Sequence, residues 1–400
     1  MRNNYEIINS SFSPTTGTWG GLTRVIAIAE AAQKAGHQIA FCASGYLFRN
    51  LKSRGYIVYE MPESTLFGLP KIISQKIERR SQNTSLPVKP GRDFGNIWFV
   101  LLLSGMAKKD FLRKLVLAET DAMKDFQADT IFTDLDPGAF MISKIHNIPI
   151  SAAYQTPMES GIGSMPWKIM NYSINKILSE AGLPKQPIED LFHGKQVLKI
   201  IPSIPELEDR NPNKNDICYV GHLLGDIKPN INFPILENKH YVFVYVGTGA
   251  VSMKIVKEVL PLVFSNNNDT ICLVGSQSIE KEEKIGSVIF QSFVPAREIL
   301  PYCDWVICHG GQNTIIQALM AGVPLMVFPG PIFERRFNAR KGQSTGAGSM
   351  GELPDFNAFW IKNAMQYQQD KARHAQELGS KIRSYGSAEK AIKEIEKWGK

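Results

Sequence analysis

The first half of the chain alternates short apolar runs, typical of buried strands, with segments whose apolar residues recur at helical spacing. The strand-like runs lie at residues 5–9, 38–42, 130–133 and 150–153. Between the first two runs, Leu22, Val25 and Ala29 repeat at the spacing of one helix face, and Gly36 ends the predicted helix. Strands that alternate with helices predict a mainly parallel sheet covered by helices on both faces.

The same rhythm restarts after residues 202–215, where proline, asparagine and charged side chains concentrate as in a linker. Further strand-like runs follow at residues 217–220, 241–246, 270–274, 288–290, 305–308 and 325–328. From Ser387 onward the chain is amphipathic, since Ala388, Ile392 and Ile395 share one helix face. The pattern predicts an α/β protein with two halves, 1–205 and 216–375, followed by a C-terminal helix in 376–400.

Residues 61–115 interrupt the rhythm of the first half. They contain several prolines, the basic pairs Arg79-Arg80 and Lys108-Lys109, and an apolar run at residues 98–103. We interpret this region as an irregular, partly helical insertion. Its apolar run is expected to form a buried helix turn; a surface that faces a bound partner molecule or a membrane is the alternative.

Composition and charge exclude several classes of protein. Of the 400 residues, 44% are apolar and 21% charged, as in an ordinary folded chain. The net charge of +7 favours anionic partners such as nucleotide phosphates or acidic lipids, but is too weak to indicate nucleic-acid binding. No apolar run approaches the roughly 20 residues of a membrane span, and no signal peptide is recognised. The five cysteines show no CxxC spacing, which favours a reduced cytoplasmic location and argues against a structural metal.

The most informative motif is a strand that runs into a glycine turn and then a helix. Residues 305–314 read WVICHGGQNT, so that His309, Gly310 and Gly311 separate the strand from the helix. The start of a helix carries unpaired N–H groups and a partial positive charge, and glycine allows close approach of the backbone. The turn is therefore predicted to hold a phosphate; a plain strand-to-helix turn is the alternative.

A second turn of this kind follows an earlier strand. Residues 241–249 read YVFVYVGTG and end in Gly247, Thr248 and Gly249. Open α/β sheets bind ligands at the carboxyl ends of their strands, so the two turns together indicate a nucleotide diphosphate site. The P-loop pattern is absent from both turns, and the glycines after the first strand do not fit the GxGxxG fingerprint.

Residues 291–348 contain several short motifs that occur together in one protein family. The motifs are Phe293-Val-Pro295, His309-Gly-Gly311-x-Asn313-Thr314, Gly322-Val323-Pro324, Pro329, and Glu334 followed by Asn338-Ala339. In combination they resemble the donor-binding signature of family 1 glycosyltransferases, the superfamily of UDP-glycosyltransferases and macrolide glycosyltransferases. Weaker likenesses at residues 36–41, 201–208 and 219–221 extend the resemblance over most of the chain.

The resemblance implies a GT-B fold, in which two Rossmann-like domains face a cleft and a C-terminal helix crosses back to the first domain. The acceptor would bind to residues 1–205 and the donor to residues 216–375. It also implies an inverting, metal-independent transfer of a sugar from a nucleotide diphosphate. The nucleotide sugar is then a substrate, and no cofactor is expected.

The family's motif assigns donor contacts to particular second-half residues. Phe293, with Val294 beside it, would lie against the nucleobase, and Gln317 would bind the ribose. Glu334 and Arg335 stand where the family binds the sugar hydroxyls. The diphosphate would be held by His309, Gly311, Asn313 and Thr314, and Gly247 and Thr248 of the second glycine turn are the further predicted donor contacts.

The sequence departs from the family where Arg335 replaces the usual glutamine and Arg336 follows it. A guanidinium group suits carboxylate or phosphate better than hydroxyls, so an acidic sugar becomes conceivable. Alternatively, Arg335 or Arg336 points to solvent or pairs with Glu334.

The second departure concerns the catalytic base. Many family members carry a histidine in the loop after the first strand, whereas residues 10–21 here contain no His, Asp, Glu or Lys. Asp134 matches the family's aspartate that supports this histidine. We expect Asp134, or alternatively Asp136, to accept the proton or merely to cap a turn, and Glu334 is the second candidate base.

The function expected from the resemblance is transfer of a sugar from a UDP- or dTDP-linked donor to a hydroxyl of a small-molecule or lipid acceptor. A catalytically weak protein that binds a nucleotide sugar is the first alternative, because the usual base is missing. A sugar-nucleotide epimerase is less favoured, since only Glu334 is evident near the sugar. No nucleic-acid partner is expected, while a peripheral membrane contact and a homodimer are left open.

Overall fold

The computed structural model describes residues 4–8, 19–74, 77, 91–209, 211–224, 235–236, 238–247, 250–264 and 269–399. The chain forms two compact units. The first comprises Met1–Ile77, Gly95–Ile227 and Tyr385–Lys400, and the second comprises Glu78–Phe94 and Lys228–Ser384. Among the described residues, no helix is both long and apolar enough to cross a lipid bilayer.

The first unit is built on a parallel sheet of seven strands in the order β3-β2-β1-β4-β5-β6-β7. Its strands are β1 Asn4–Ile8, β2 Gln38–Ala43, β3 Ile57–Glu60, β4 Thr130–Thr133, β5 Ile150–Ala153, β6 Val197–Ile201 and β7 Ile217–Tyr219. Its helices before the linker are α1 Trp19–Lys34, α2 Gly45–Ser53, α3 Ile97–Leu103, α4 Lys109–Phe126, α5 Pro137–His146, α6 Met165–Glu180 and α7 Ile188–His193. Strands β4, β5 and β6 are buried along their whole length, as expected for a parallel sheet covered on both faces.

The second unit contains the sheet order β10-β11-β9-β8-β12-β13-β14, which is parallel except for the β10–β11 pair. Its strands are β8 His240–Tyr245, β9 Thr270–Gly275, β10 Glu283–Ile285, β11 Val288–Gln291, β12 Cys303–Cys308, β13 Leu325–Val327 and β14 Gly348–Met350. Its helices are α8 Met253–Phe264, α9 Ala296–Ile299, α10 Gln312–Met320, α11 Phe333–Ser344, α12 Ala358–Met365 and α13 Gln368–Ser384. Short 3₁₀ turns in the two units lie at Leu66–Gly68, Thr156–Glu159, Pro205–Leu207, Leu300–Tyr302 and Leu353–Asp355.

The apolar run of the insertion is a buried helix turn, as the sequence predicts. It forms α3, in which Ile97, Trp98 and Leu101 are buried in the core of the first unit. The Asn96 side chain caps this helix by accepting a hydrogen bond from the N–H of Phe99 at 3.0 Å. Residues 91–94, expected in the first half, belong to the second unit instead. Within the second unit, the described residue Phe94 pairs with Ile332.

The sequence pattern suggested that residues 217–220 begin the second sheet, but strand β7 does not belong to that sheet. It is the edge strand of the first sheet and pairs in parallel with β6. The buried Lys199 of β6 binds Asp216 at 2.7 Å, and the N–H of Val220 donates to the carbonyl of Ile201 at 3.0 Å. These contacts, made across the linker-like segment, hold the strand to the first unit.

The C-terminal segment predicted as one helix consists of two. Helix α13 ends at Ser384 in the second unit, and α14, Ser387–Trp398, belongs to the first. Gly386 separates them with a φ of +85°, a conformation that glycine adopts without steric cost. Ala391, Ile392 and Ile395 of α14 are buried in the same core cluster as α1 and β2.

Candidate functional site

The glycine turn after β12 has a geometry that requires glycine. Gly310 has a φ of +89°, and a Cβ atom there would lie 2.8 Å from the carbonyl oxygen of Arg335. The buried Asn338 of α11 donates from Nδ2 to the carbonyl of Gly310 at 2.9 Å. The turn is therefore fixed from one side by α11, and its other end starts α10, so that it lies at the positive end of a helix dipole, where an anion is favoured.

His309 joins the two glycine turns of the second unit. Its Nδ1 accepts a hydrogen bond from the N–H of Gly247 at 3.0 Å, although the Tyr245 carbonyl also lies 3.2 Å from this nitrogen. Acceptance from an N–H requires an unprotonated Nδ1, so the neutral ring carries its proton on Nε2. Burial and, to a smaller extent, the nearby charge of Arg335 lower the pKa of His309 to about 3. The ring is thus a neutral hydrogen-bond donor at physiological pH.

Arg335 and Arg336 are neighbours with different surroundings. Burial lowers the pKa of Arg335, whose guanidinium interacts electrostatically with Glu334, Tyr245 and Cys308 next to the glycine turn. Arg336 is buried and binds Glu352 through two hydrogen bonds of 2.9 and 2.7 Å. It also donates to Asp93 at 2.7 Å. Arg336 therefore holds residues of the second unit together, and its partners are Asp93, Glu352 and the carbonyl of Gly330.

The remaining predicted donor residues that the structure describes lie along the same carboxyl edge of the second sheet. Asn313 and Thr314 are in the first turn of α10, and Gln317 one turn later donates to the carbonyl of Asn313 at 3.2 Å. Phe293, which follows β11, is 55% exposed, whereas Val294 is buried against Gly275. Thr248 lies outside the described residues. Glu334 and Arg335 occupy the first turn of α11.

In the first unit, Asp134 is buried and ion-paired. It follows β4, and Nη2 of Arg24 in α1 lies 3.0 Å from Oδ2 and 3.2 Å from Oδ1. A guanidinium therefore contacts the carboxylate at the position where the family's histidine would be supported. Residues 9–18, which contain most of the loop without a base, lie outside the described residues.

Asp136 has a capping role. Its Oδ1 accepts a hydrogen bond from the N–H of Gly138 at 2.8 Å, so that it caps α5. Burial raises the pKa of Asp136 to about 6. Hydrogen bonds from the helix N–H groups and from the carboxyl of Glu119 lower this pKa, but their effect is smaller than that of burial. Of the two outcomes expected for this residue, the geometry shows the cap.

The roles of two residues that position the site were not predicted from the sequence. Asn338 belongs to the recognised motif, but only the structure shows that it holds the Gly310 carbonyl. Arg24 carries no motif signal, because its partner Asp134 is 110 residues away in the chain. Among the described residues, no group of three or more His, Cys, Asp or Glu side chains is arranged to bind a metal.

Solved structures of glycosyltransferases share this architecture. The glycotransferase of kitacinnamycin superposes with a TM-score of 0.75 at 15% identity, over 99% of both chains. SsfS6 of Streptomyces sp. SF2575, complexed with thymidine diphosphate, superposes with a TM-score of 0.65 at 16% identity, over 99% of this chain and 100% of that one. The predicted GT-B fold is confirmed.

Glycosyltransferases are also found among the sequence relatives of the chain. The NDP-glycosyltransferase YjiC of Bacillus subtilis (strain 168) is 24% identical over 290 residues, which cover 68% of this chain and 73% of the relative. The chain is similar to glycosyltransferases of the macrolide and NDP-glycosyltransferase type, and the resemblance to family 1 seen in its motifs is confirmed. More particularly, residues 259–397 match the family described as erythromycin biosynthesis protein CIII-like, C-terminal domain.

Proposed function

We propose that the protein transfers a sugar, with inversion at the anomeric carbon, from a dTDP- or UDP-linked donor to a hydroxyl of a small-molecule acceptor. The observation that carries the proposal is the glycine turn at Gly310, where a neutral histidine and a helix N-terminus meet. The thymidine diphosphate in the related SsfS6 structure supports a nucleotide diphosphate as the leaving group. The antibiotic-type relatives support a natural product as the acceptor.

The turn is suited to a leaving diphosphate. N–H groups at the start of α10 and the side chains of Asn313 and Thr314 can donate to its oxygens. The Nε2–H of His309 adds a donor that does not depend on pH between 5 and 9, because its pKa is about 3. Arg335 supplies a fixed positive charge beside the same turn. Donors held in place where charge develops are usually the largest catalytic contribution.

In the proposed reaction, the acceptor oxygen attacks the anomeric carbon and the bond from that carbon to the phosphate oxygen breaks. The acceptor proton passes to a base, and the nucleotide diphosphate leaves. Asp134 and Glu334 are the two candidate bases, and a positioned base contributes about 10²–10⁴-fold. No divalent metal is required in this scheme, because the turn and Arg335 stabilise the leaving group.

A second candidate function is a nucleotide-sugar-binding partner protein with little activity of its own. It is favoured by the contact of Arg24 with Asp134, because this ion pair occupies the carboxylate that would act as base. It is also favoured by the lack of His, Asp, Glu and Lys at residues 10–21.

Transfer assays separate the two functions. The full chain is incubated with UDP- and dTDP-sugars and a panel of hydroxylated polyketide-like acceptors, with a chelator in parallel. Released nucleotide diphosphate and product mass are measured, and NMR gives the anomeric configuration. The proposal predicts an inverted product that survives the chelator. Calorimetric donor binding without any product, across the whole panel, would instead support the partner protein.

A further inference from the structure

Helix α6 of the first unit presents large apolar side chains on both of its faces. Met170 and Ile174 point inward and are buried in the core. On the opposite face, Met165 is 70% exposed, Tyr172 is 63% exposed, and Ile169 between them is also exposed. These three recur at i, i+4 and i+7, which forms a stripe on the face where a surface helix normally carries polar residues.

Further exposed apolar side chains lie in the segment around Gly68. Phe67 is exposed, and Ile72 is 82% exposed. Two consecutive lysines connect the segments: Lys108 donates to the carbonyl of Gly68 at 2.6 Å, and Nζ of Lys109 lies 5.4 Å above the ring of Tyr172. Phe67, Ile72, Met165, Ile169 and Tyr172, with the adjacent lysines, are called the apolar–basic face below.

The charge of this face is positive. Lys168 and Lys176 are exposed on α6 at its margins, in addition to Lys108 and Lys109. The neighbouring acids are engaged by an arginine: Arg113 binds Glu180 through two hydrogen bonds of 2.9 Å and Asp110 at 2.8 Å. Exposed apolar side chains bordered by lysines are the composition of helices that lie in the plane of a membrane interface.

We propose that the apolar–basic face docks on the anionic surface of a lipid bilayer. Met165, Ile169 and Tyr172 would enter the boundary between headgroups and acyl chains, while the lysines contact anionic headgroups. The charge of the face selects this occupant, since anionic headgroups complement the excess of lysines, which a neutral apolar partner would not. The contact is independent of donor chemistry and therefore does not depend on the proposed transfer reaction.

Vesicle flotation of the full chain tests the proposal. We expect binding to vesicles with about one-third phosphatidylglycerol, weak binding to pure phosphatidylcholine, and loss of binding as salt rises. The triple variant Met165→Ser, Ile169→Ser, Tyr172→Ser should bind about tenfold more weakly or worse. Lys168→Glu with Lys176→Glu should have an effect of similar size on anionic vesicles.

The matched control is the triple variant Leu262→Ser, Phe359→Ser, Tyr367→Ser, which removes three apolar side chains of the second unit that are together at least as exposed. It should bind vesicles like the wild type. Circular dichroism verifies that all variants fold, and nucleotide binding in solution should be unchanged in each. Equal binding of wild type to both vesicle types, or wild-type binding by the α6 variants, overturns the proposal. A wild-type dimer that binds no vesicles and dissociates in the α6 variants would overturn it in favour of a contact between copies.

Discussion

The carboxyl ends of β12 and β4 both carry polar residues on which the proposed reaction depends, but the two ends are constructed differently. After β12, a neutral histidine is held by the backbone of a neighbouring turn, and its donor is available for a ligand. After β4, Asp134 is bound by Arg24, which lies 110 residues earlier in the chain on helix α1. The first arrangement is prepared to bind an anion, whereas the second must give up a protein contact before its carboxylate can accept a proton. Donor binding and catalysis should therefore respond differently to mutation.

The largest effect is expected at Gly310. Gly310→Ala places a Cβ 2.8 Å from the carbonyl of Arg335 and also forces alanine into a φ of +89°. We expect a loss of unfolding free energy of about 3 kcal/mol or more and loss of nucleotide diphosphate binding. Denaturant unfolding and calorimetry measure the two effects.

Gly36→Ala is the matched control for this substitution. Gly36 has nearly the same φ of +88° but nothing within 4 Å of its Cβ position. It should lose only about 1–2 kcal/mol of unfolding free energy and keep its nucleotide affinity. Equal losses of stability and affinity in the two variants would show that the short distance between the Gly310 Cβ position and the carbonyl of Arg335 does not matter.

The next effect concerns Asp134. Asp134→Asn removes the charge that faces Arg24, and we expect about 2–3 kcal/mol of lost unfolding free energy, less than for a fully buried pair because Arg24 is partly exposed. Turnover should fall at least tenfold, while donor affinity stays nearly unchanged because the donor contacts lie in the other unit. Steady-state kinetics and calorimetry measure these quantities.

Arg24→Gln distinguishes a base from a structural ion pair. If Asp134 is the base, this variant frees its carboxylate and retains turnover despite reduced stability. If both variants lose turnover equally, Asp134 acts through its ion pair. Normal turnover in Asp134→Asn together with loss in Glu334→Gln would place the base at Glu334.

A smaller effect is expected in the first turn of α10. Asn313→Ala with Thr314→Ala removes side-chain donors to the diphosphate and should weaken its binding by about 1–3 kcal/mol. Both residues are partly exposed, so folding stability should change little. An unchanged calorimetric dissociation constant would contradict the assignment of these donors.

The smallest effect is a pH dependence in the first unit. Asp136 has a raised pKa of about 6 in the folded protein, against about 3.9 in an unfolded chain. Between these values the folded state binds more protons, so lowering the pH from 7 to 5 stabilises it by about 1 kcal/mol. Asp136→Asn keeps an oxygen for the cap and should lose this gain. Parallel pH series of denaturant unfolding show whether the two proteins differ in slope.

The glycine turn of the second unit was predictable because its signals are local. A strand, two glycines and a helix start within ten residues define the turn at His309, and the α/β rhythm defines both sheets. Contacts between distant residues were not predictable: the pairing of Asp134 with Arg24, the engagement of Arg336 by Asp93 and Glu352, and the side-by-side pairing of β6 and β7. In each case residue type permitted several partners, and only the packing of the folded chain selected one.

The position of α14 has a consequence for the order in which the protein can fold during synthesis. Ala391, Ile392 and Ile395 fill part of the core that also contains α1 and β2, yet the ribosome makes these residues only after the whole second unit. The second unit has all its own segments once Ser384 has emerged from the ribosome. The first unit lacks α14 until the end of synthesis, and part of its apolar core stays exposed to water until then. A nascent chain would therefore complete its later half before its earlier half, the reverse of the usual vectorial order.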